Sequence, residues 1–179
     1  GMGDIIIKDR TGEGVINDED RTVIGNSIPR FTFGLNLGFE YKGFDFSCFF
    51  QGVGKADGYV TMEAIQPMGI NGARKEHYKE SFNPQDPKPG AYFPRILSSD
   101  YNYAYMSHWV QDASYIRLKN LQIGYSFKIK GLNQLRVYAS GENLFTATKY
   151  RTWDPETPVG ARGFYPNVAV YSMGVNLNF

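Results

Sequence analysis

From Phe31 to Tyr41 the odd-numbered residues Phe31, Phe33, Leu35, Leu37, Phe39 and Tyr41 are all apolar or aromatic, and the even-numbered Thr32, Gly34, Asn36, Gly38 and Glu40 are not. Side chains of an extended chain point alternately to opposite sides, so this run predicts a strand with one oily face and one polar face. Lys42-Gly43 predicts a tight turn into a second strand on which Phe44, Phe46, Cys48 and Phe50 share a face. The final segment repeats the pattern, with Tyr171, Met173, Val175, Leu177 and Phe179 alternating with Ser172, Gly174, Asn176 and Asn178. Between them lie two further strands, Tyr115 to Phe127 with the apolar set Leu121, Ile123, Tyr125 and Phe127, and Leu135 to about Phe145. A short basic link containing Gly131 joins these two. The expected strands fall at about 30–41, 43–53, 113–128, 134–146 and 167–179, an all-β antiparallel meander.

The links alternate in length. Lys42-Gly43 and the 128–134 link are short, whereas 54–112 and 147–166 are long and rich in Pro, Gly, Asp and Asn, with a short helix expected near 73–82. Loops that long are uncommon in a compact soluble domain. They are expected of an outer-membrane barrel, whose periplasmic turns are short and whose extracellular loops are long. With the short links periplasmic, the last strand runs toward the periplasm and ends there. No stretch approaches the roughly 18 to 20 apolar residues of a transmembrane helix, but a barrel strand needs only about 9 to 11 with one apolar face. An averaged index such as the mean hydropathy of -0.39 does not register such strands.

Composition narrows the function classes. Of 179 residues 42% are hydrophobic and 16% aromatic, with 20 Gly, a mixture that favours strands and turns. Nineteen basic against 18 acidic residues, in no long block of one sign, argue against a nucleic-acid partner. Cys48 is the single cysteine, so no internal disulfide framework exists, and His77 and His108 stand apart as ordinary residues. Gly1-Met2-Gly3 carries neither a basic n-region nor an apolar h-region, so no signal peptide is read here and the natural start is expected upstream. No nucleophile, base and acid recur with reaction spacing, and Gly12 and Gly14 lack the strand-turn-helix setting of a phosphate loop, so no enzyme is expected.

Two constellations carry candidate chemistry. Asp9, Thr11, Glu13, Val15, Asn17 and Asp20, with Gly14 at the sixth position, have the spacing of a calcium loop, making Ca2+ the one candidate cofactor. Thr11 and Glu13 are poor replacements for the usual short Asp or Asn, and Asp20 reaches less well than Glu. The competing reading is an acidic, glycine-tightened turn held by side-chain to backbone hydrogen bonds. In the long loops Trp109, Tyr150, Trp153 and Tyr165, near Asp154 and Glu156, are candidates for stacking on sugar rings. Aromatic packing in loops and at a barrel rim is the alternative.

The order GDIIIKDRTGEGVINDEDRTVIGNSIPRFTFGLNLGFEYKGFDFSCFFQG, DASYIRLKNLQIGYSF, LRVYASGENLFTATKYRTWDPE and a strand closing on Phe179 resembles the C-terminal region of SusC/RagA-type TonB-dependent transporters. The resemblance covers nearly the whole chain, apart from a variable stretch near 59–107. It implies the last strands of a large transmembrane β-barrel of the plugged 22-stranded class, residing in the cell outer membrane among its lipids. It also implies import of oligosaccharides or peptides, a SusD-like lipoprotein as a lid, and energy from TonB acting on an N-terminal region outside this sequence. Tyr171, Met173, Val175, Leu177 and Phe179 would then serve as the signal read by the barrel-assembly machinery. The rival is a soluble β-sandwich glycan-binding module of a cell-surface system, in which the oily faces pack against each other. The two differ in whether Phe33, Leu35, Val175 and Leu177 point outward or into a shared core.

Overall fold

A computed structural model describes residues 1–60, 62–67, 72–87, 89–96, 101–157, 165 and 167–179, so parts of the expected long loops 54–112 and 147–166 lie outside the described residues. The chain divides into two compact units, Gly1–Gly25 with Tyr59–Val110 and Asn26–Gly58 with Gln111–Phe179. The strands are β1 (Phe31–Tyr41), β2 (Phe44–Gly54), β3 (Asp57–Tyr59), β4 (Val110–Asp112), β5 (Tyr115–Phe127), β6 (Gln134–Thr148) and β7 (Val170–Asn178). Two short helices, α1 (Met62–Ile65) and α2 (Lys75–Glu80), lie in the connection between β3 and β4.

The second unit is built on a five-stranded antiparallel sheet in the order β1-β2-β5-β6-β7, while β3 and β4 pair separately. The hairpin between β1 and β2 closes through Lys42 at φ 49 and Gly43 at φ 88. Two successive positive φ values give the turn whose twist matches that of the flanking strands. Gly43 has a second reason to be glycine: a Cβ there would lie 2.7 Å from the backbone oxygen of Ser126.

Register carries the oily row of β1 across the whole sheet, because directly opposed residues share a face. Leu35 faces Phe50, Leu37 faces Cys48 and Phe39 faces Phe46. Phe46 then faces Ile123, which faces Ala139, which faces Met173. The result is one continuous apolar face five strands wide, and no second layer covers it among the described residues. Phe33 and Leu35 are 48% and 49% exposed, Val175 and Leu177 59% and 55%. In a sandwich these side chains would form the core; here they look outward. An uncovered apolar surface of this breadth does not belong in water.

The opposite face is polar and is tied together across strands. Arg136 on β6 reaches over β5 to Asp45 on β2, donating from Nε at 2.9 Å and from Nη2 at 2.6 Å. The guanidinium passes over Gly124, where a Cβ would collide with Asp45 Oδ2 and Arg136 Nη2. It also stacks on the Tyr138 ring, 4.8 Å from its centroid. A fork of two charge-assisted bonds fixes geometry as well as energy, so this pair holds three strands in register on the polar side.

The first unit has a small core of its own. Trp109, Tyr103, Ile65, His77, Val60 and Asn102 are its fully buried side chains. Trp109 Nε1 donates to the carbonyl of Asn102 at 2.9 Å, and the ring meets Phe93 and His108. His77 bridges the two helices: its Nδ1 accepts from the Arg74 amide at 3.1 Å, which leaves Nε2 to donate to the Ala64 carbonyl at 2.9 Å. Asp4 ties the start of the chain to this core, accepting from Arg95 and from Asn102. The Arg95 guanidinium holds its carboxyl well below the usual carboxylate range.

Gly43→Ala is expected to cost about 1–3 kcal/mol, because the new side chain meets both a positive φ and a backbone oxygen. Gly38→Ala, whose Cβ would find its nearest neighbour at 3.4 Å, should stay within about 0.5 kcal/mol. Urea unfolding midpoints of the full-length receptor in lipid vesicles compare the two, and equal shifts would contradict this account of the turn.

Candidate functional site

The acidic turn near the start of the chain spends its carboxylates on its own backbone. Asp9 Oδ1 accepts from the Gly12 amide at 2.6 Å and Oδ2 from the Gly14 amide at 2.7 Å. Gly12 and Gly14 sit at φ 79 and 80, a conformation that turns their N–H groups inward. Asp20, 8% exposed, accepts from the amides of Arg10 at 2.6 Å and Asn17 at 3.0 Å. Asn17 in turn caps the short helical turn at Asp18–Asp20 through the Glu19 amide and donates to Glu13. These are the bonds of an Asx-type turn, the competing reading of the spacing. Among the described residues no group of three His, Cys, Asp or Glu converges as a metal site. Of the six candidate ligands, Thr11 Oγ1 sits on Asp9 and Val15 is exposed.

The loop aromatics part company. Trp109 is fully buried in the first unit, so it offers no face to a sugar ring. Burial in an aromatic cluster is its role, which a loop position in a sequence does not reveal. Tyr150 and Trp153 belong to the second unit. Tyr150 is 9% exposed and its ring lies against Gly58; Trp153 is half-buried. Tyr165 is exposed. Asp154 and Glu156 are engaged in ion pairs. On β7, Tyr171, Met173, Val175 and Leu177 line the outward apolar face with 55–92% exposure, and Phe179 follows the strand at 83%.

The most elaborate polar arrangement of the second unit centres on Arg117, a residue the sequence does not single out. Arg117 points to the polar face of β5 and is 3% exposed. Its Nε donates to Thr146 Oγ1 at 2.7 Å, its Nη2 to both oxygens of Asp154 at 2.8 Å, and its Nη1 to Glu156 at 2.9 Å. Glu156 also accepts from Lys119 Nζ at 3.0 Å, from the Tyr115 hydroxyl at 3.1 Å and from Asn167 at 2.6 Å. Two cations and two carboxylates thus neutralise one another in a place with little water. A buried charge this well paired is stable for as long as its partners stay in place.

A β-bulge sets up this cluster. Phe49 and Phe50, neighbours on β2, face Asn120 and Leu118 on β5, so Lys119 is an extra residue there. Facing β6, the single Lys119 opposes both Asn143 and Leu144, with Asn143 at φ 52. A bulge re-aims side chains, and here it shifts the alternation so that Arg117 and Asn120 both remain on the polar side, with Leu118 and Leu121 on the apolar one. A trace of this is present in the sequence, where the apolar residues of YIRLKNLQIGYSF change from even to odd positions across Lys119 and Asn120.

In the acidic turn the Gly12 and Gly14 amides hold the Asp9 carboxyl below its ordinary value, and the Asn17 and Arg10 amides do the same for Asp20. A carboxyl whose folded pKa lies below its unfolded value of about 3.9 contributes stability that is complete above that pH and is lost as pH falls through the folded value. Residues 9–20 should therefore hold their form at neutral pH and loosen below about pH 4. Asp20→Asn should loosen them already at pH 7, read as faster proteolytic cutting within 9–20. Unchanged cutting would contradict the proposed hydrogen bonding.

No family model matches the chain. Among curated proteins, a TonB-dependent receptor P3 of Formosa agariphila is 34% identical over 99% of this chain, which covers 19% of that receptor. The TonB-dependent receptor SusC of Bacteroides thetaiotaomicron is 27% identical over 96% of this chain, which covers 17% of SusC. Among solved structures, the RagAB peptide transporter matches with a TM-score of 0.73 at 23% identity, over 92% of this chain and 19% of that one. RagAB in its open-open state matches with a TM-score of 0.69 at 24% identity, over 87% of this chain and 18% of that one. The chain therefore spans about a fifth of the length of the curated relatives it matches. A two-faced antiparallel sheet with its oily side uncovered is the wall of a membrane barrel, and this chain belongs to the SusC/RagA-type TonB-dependent receptors of the outer membrane, as a stretch of their barrel.

Proposed function

We propose that this chain supplies part of the wall of a TonB-dependent importer for oligosaccharides or peptides. The observation that carries the reading is the sheet itself: one side is a continuous apolar field and the other a polar, ion-paired surface. Lipid is the solvent for the first and a hydrated lumen for the second. Strands of 11, 11, 13, 15 and 9 residues are long enough for a tilted crossing of the hydrocarbon layer. The long connections face the outside and the short turns the periplasm. The outer edges of β1 and β7 have no strand partner among the described residues. Unpaired N–H and C=O groups are not tolerated in lipid, so both edges need further barrel strands.

The partners follow from this reading. A SusD-like lipoprotein would cover the extracellular side. TonB would act through an N-terminal region of the receptor, and the barrel-assembly machinery would insert the barrel, with the exposed row Tyr171 to Phe179 as its recognition strand. Trp153 and Tyr165 remain the loop aromatics suited to stacking on a cargo sugar or peptide side chain. Among the compared structures RagAB is named a peptide importer, which favours testing peptides beside glycans.

Two measurements test the reading. Cells lacking the full-length receptor should fail to grow on a glycan or peptide mixture that supports the parent strain, and regain growth on complementation. Normal growth of the deletion strain on every such source would overturn the import function. Leu37→Arg, on the apolar face, should cost about 2–4 kcal/mol if that face meets the bilayer midplane. Its neighbour Asn36→Arg, on the polar face, should be tolerated, and folded receptor in outer-membrane fractions, scored by heat-modifiable gel mobility, distinguishes the two. The opposite ranking would place lipid on the wrong side of the sheet.

A further inference from the structure

We propose that residues 150–157 form a strap folded inward onto the lumen side of the sheet, and that Arg117 is the positioning residue that holds it there, limiting the size of what reaches this part of the wall. The inference rests on the barrel reading above, since only in a barrel is the polar face a lumen.

The strap is held along its length. Tyr150 is buried against Gly58. The Gln111 side chain accepts from the Arg151 amide at 2.9 Å and donates to Thr152 Oγ1 at 3.2 Å. Asp154 accepts from the Glu156 amide at 2.9 Å, a local turn that presents both carboxylates to the same side. Both then meet Arg117, and Glu156 meets Lys119 and Tyr115. Thr152 to Thr157 are all at least partly shielded, unlike a loop that runs free in solvent. A cavity of about 390 Å³ remains between wall and strap, with Gln51, Val53 and Lys119 on one side and Tyr150, Pro155 and Thr157 on the other. A solute small enough for that space reaches the wall behind the strap, while a bulkier one is kept from it.

The anchoring is of a kind that can be undone without unfolding the sheet. Arg117 is buried by the strap's own carboxylates, so with the strap lifted it faces water in the lumen and loses its desolvation cost along with its partners. Replacing the two acids of the strap thus releases the strap and leaves β5 and β6 paired. Lys at position 117 keeps the charge and loses the fork to Asp154, so it should hold the strap only in part.

The test is cysteine labelling of the full-length receptor in the outer membrane of intact cells, with Cys48 and any cysteine elsewhere in the receptor replaced by Ser and Val53→Cys added, to place one thiol on the cavity wall. N-ethylmaleimide should label it, and a maleimide on a long polyethylene glycol chain should label it much more slowly. Adding Asp154→Ala with Glu156→Ala should raise the ratio of large-reagent to small-reagent rates by at least about tenfold, the factor that loss of roughly 1.4 kcal/mol of closing free energy gives. Arg117→Met should do the same and Arg117→Lys should fall between; if Arg117→Met fails to reach the membrane, the strap variant alone decides. A ratio unchanged by the strap variant, or a parent that admits the large reagent as fast as the small one, overturns the strap. Labelling needs no cargo, so a receptor that moves nothing yet shows the shift counts against import and not against the strap.

Discussion

A strand that crosses lipid has to pair every backbone N–H and C=O with another strand, because no water is present to take their place. That requirement makes the sheet the unit of structure here, and the side chains are left to decide only which way each face looks. In β1, β2, β5, β6 and β7 the answer is the same from strand to strand, since register places apolar residue opposite apolar residue from Phe39 through Phe46, Ile123 and Ala139 to Met173. Apart from the small, buried Cys48, the apolar face contributes little to an internal core. It is satisfied by the solvent it meets, which is why Phe33 and Val175 are about half exposed in a structure that is otherwise well ordered in its hydrogen bonding.

The polar face poses the opposite problem, because it carries charged side chains where water is confined. Both solutions seen here are ion pairs that span strands. Asp45 and Arg136 clasp across Gly124, and Arg117 with Lys119 is neutralised by carboxylates brought in from a loop. The second arrangement needs the bulge at Lys119, without which the alternation of β5 would slip by one residue and carry its apolar half to the wrong side. A single extra residue therefore serves both demands at once, keeping the lipid face apolar and setting Arg117 within reach of Asp154 and Glu156.

The unit formed by residues 1–25 and 59–110 follows different rules, since none of the five long strands belongs to it. It has a conventional core around Trp109 and uses carboxylates as caps for its own backbone at Asp9 and Asp20. This explains why its residue spacing resembles a calcium loop. A turn that gathers backbone amides around a carboxylate and a turn that gathers carboxylates around a cation use the same glycines and the same acids, and spacing alone does not separate them. Position in the sequence is as little guide to the loop aromatics. Trp109 and Tyr150 occupy connections, where exposure is the ordinary expectation, yet both are buried, Trp109 among Phe93, Tyr103 and His108 and Tyr150 against the distant Gly58.

The two-residue period of β1 and β7 and the Lys42-Gly43 turn were readable from the order of residues, because strand faces and tight turns depend on neighbours one or two positions apart; the barrel family was readable only through the resemblance of whole stretches of sequence. The direction in which the oily face looks was not, since alternation is equally compatible with a sandwich core and with lipid. Nor were the partners of Arg117, which lie 29 to 39 positions away along the chain. Contacts of that kind exist only once the strands have aligned and a loop has folded back on them, so the tertiary structure alone decided which charges meet, which tryptophan is buried, and what a pair of acids in a loop is for.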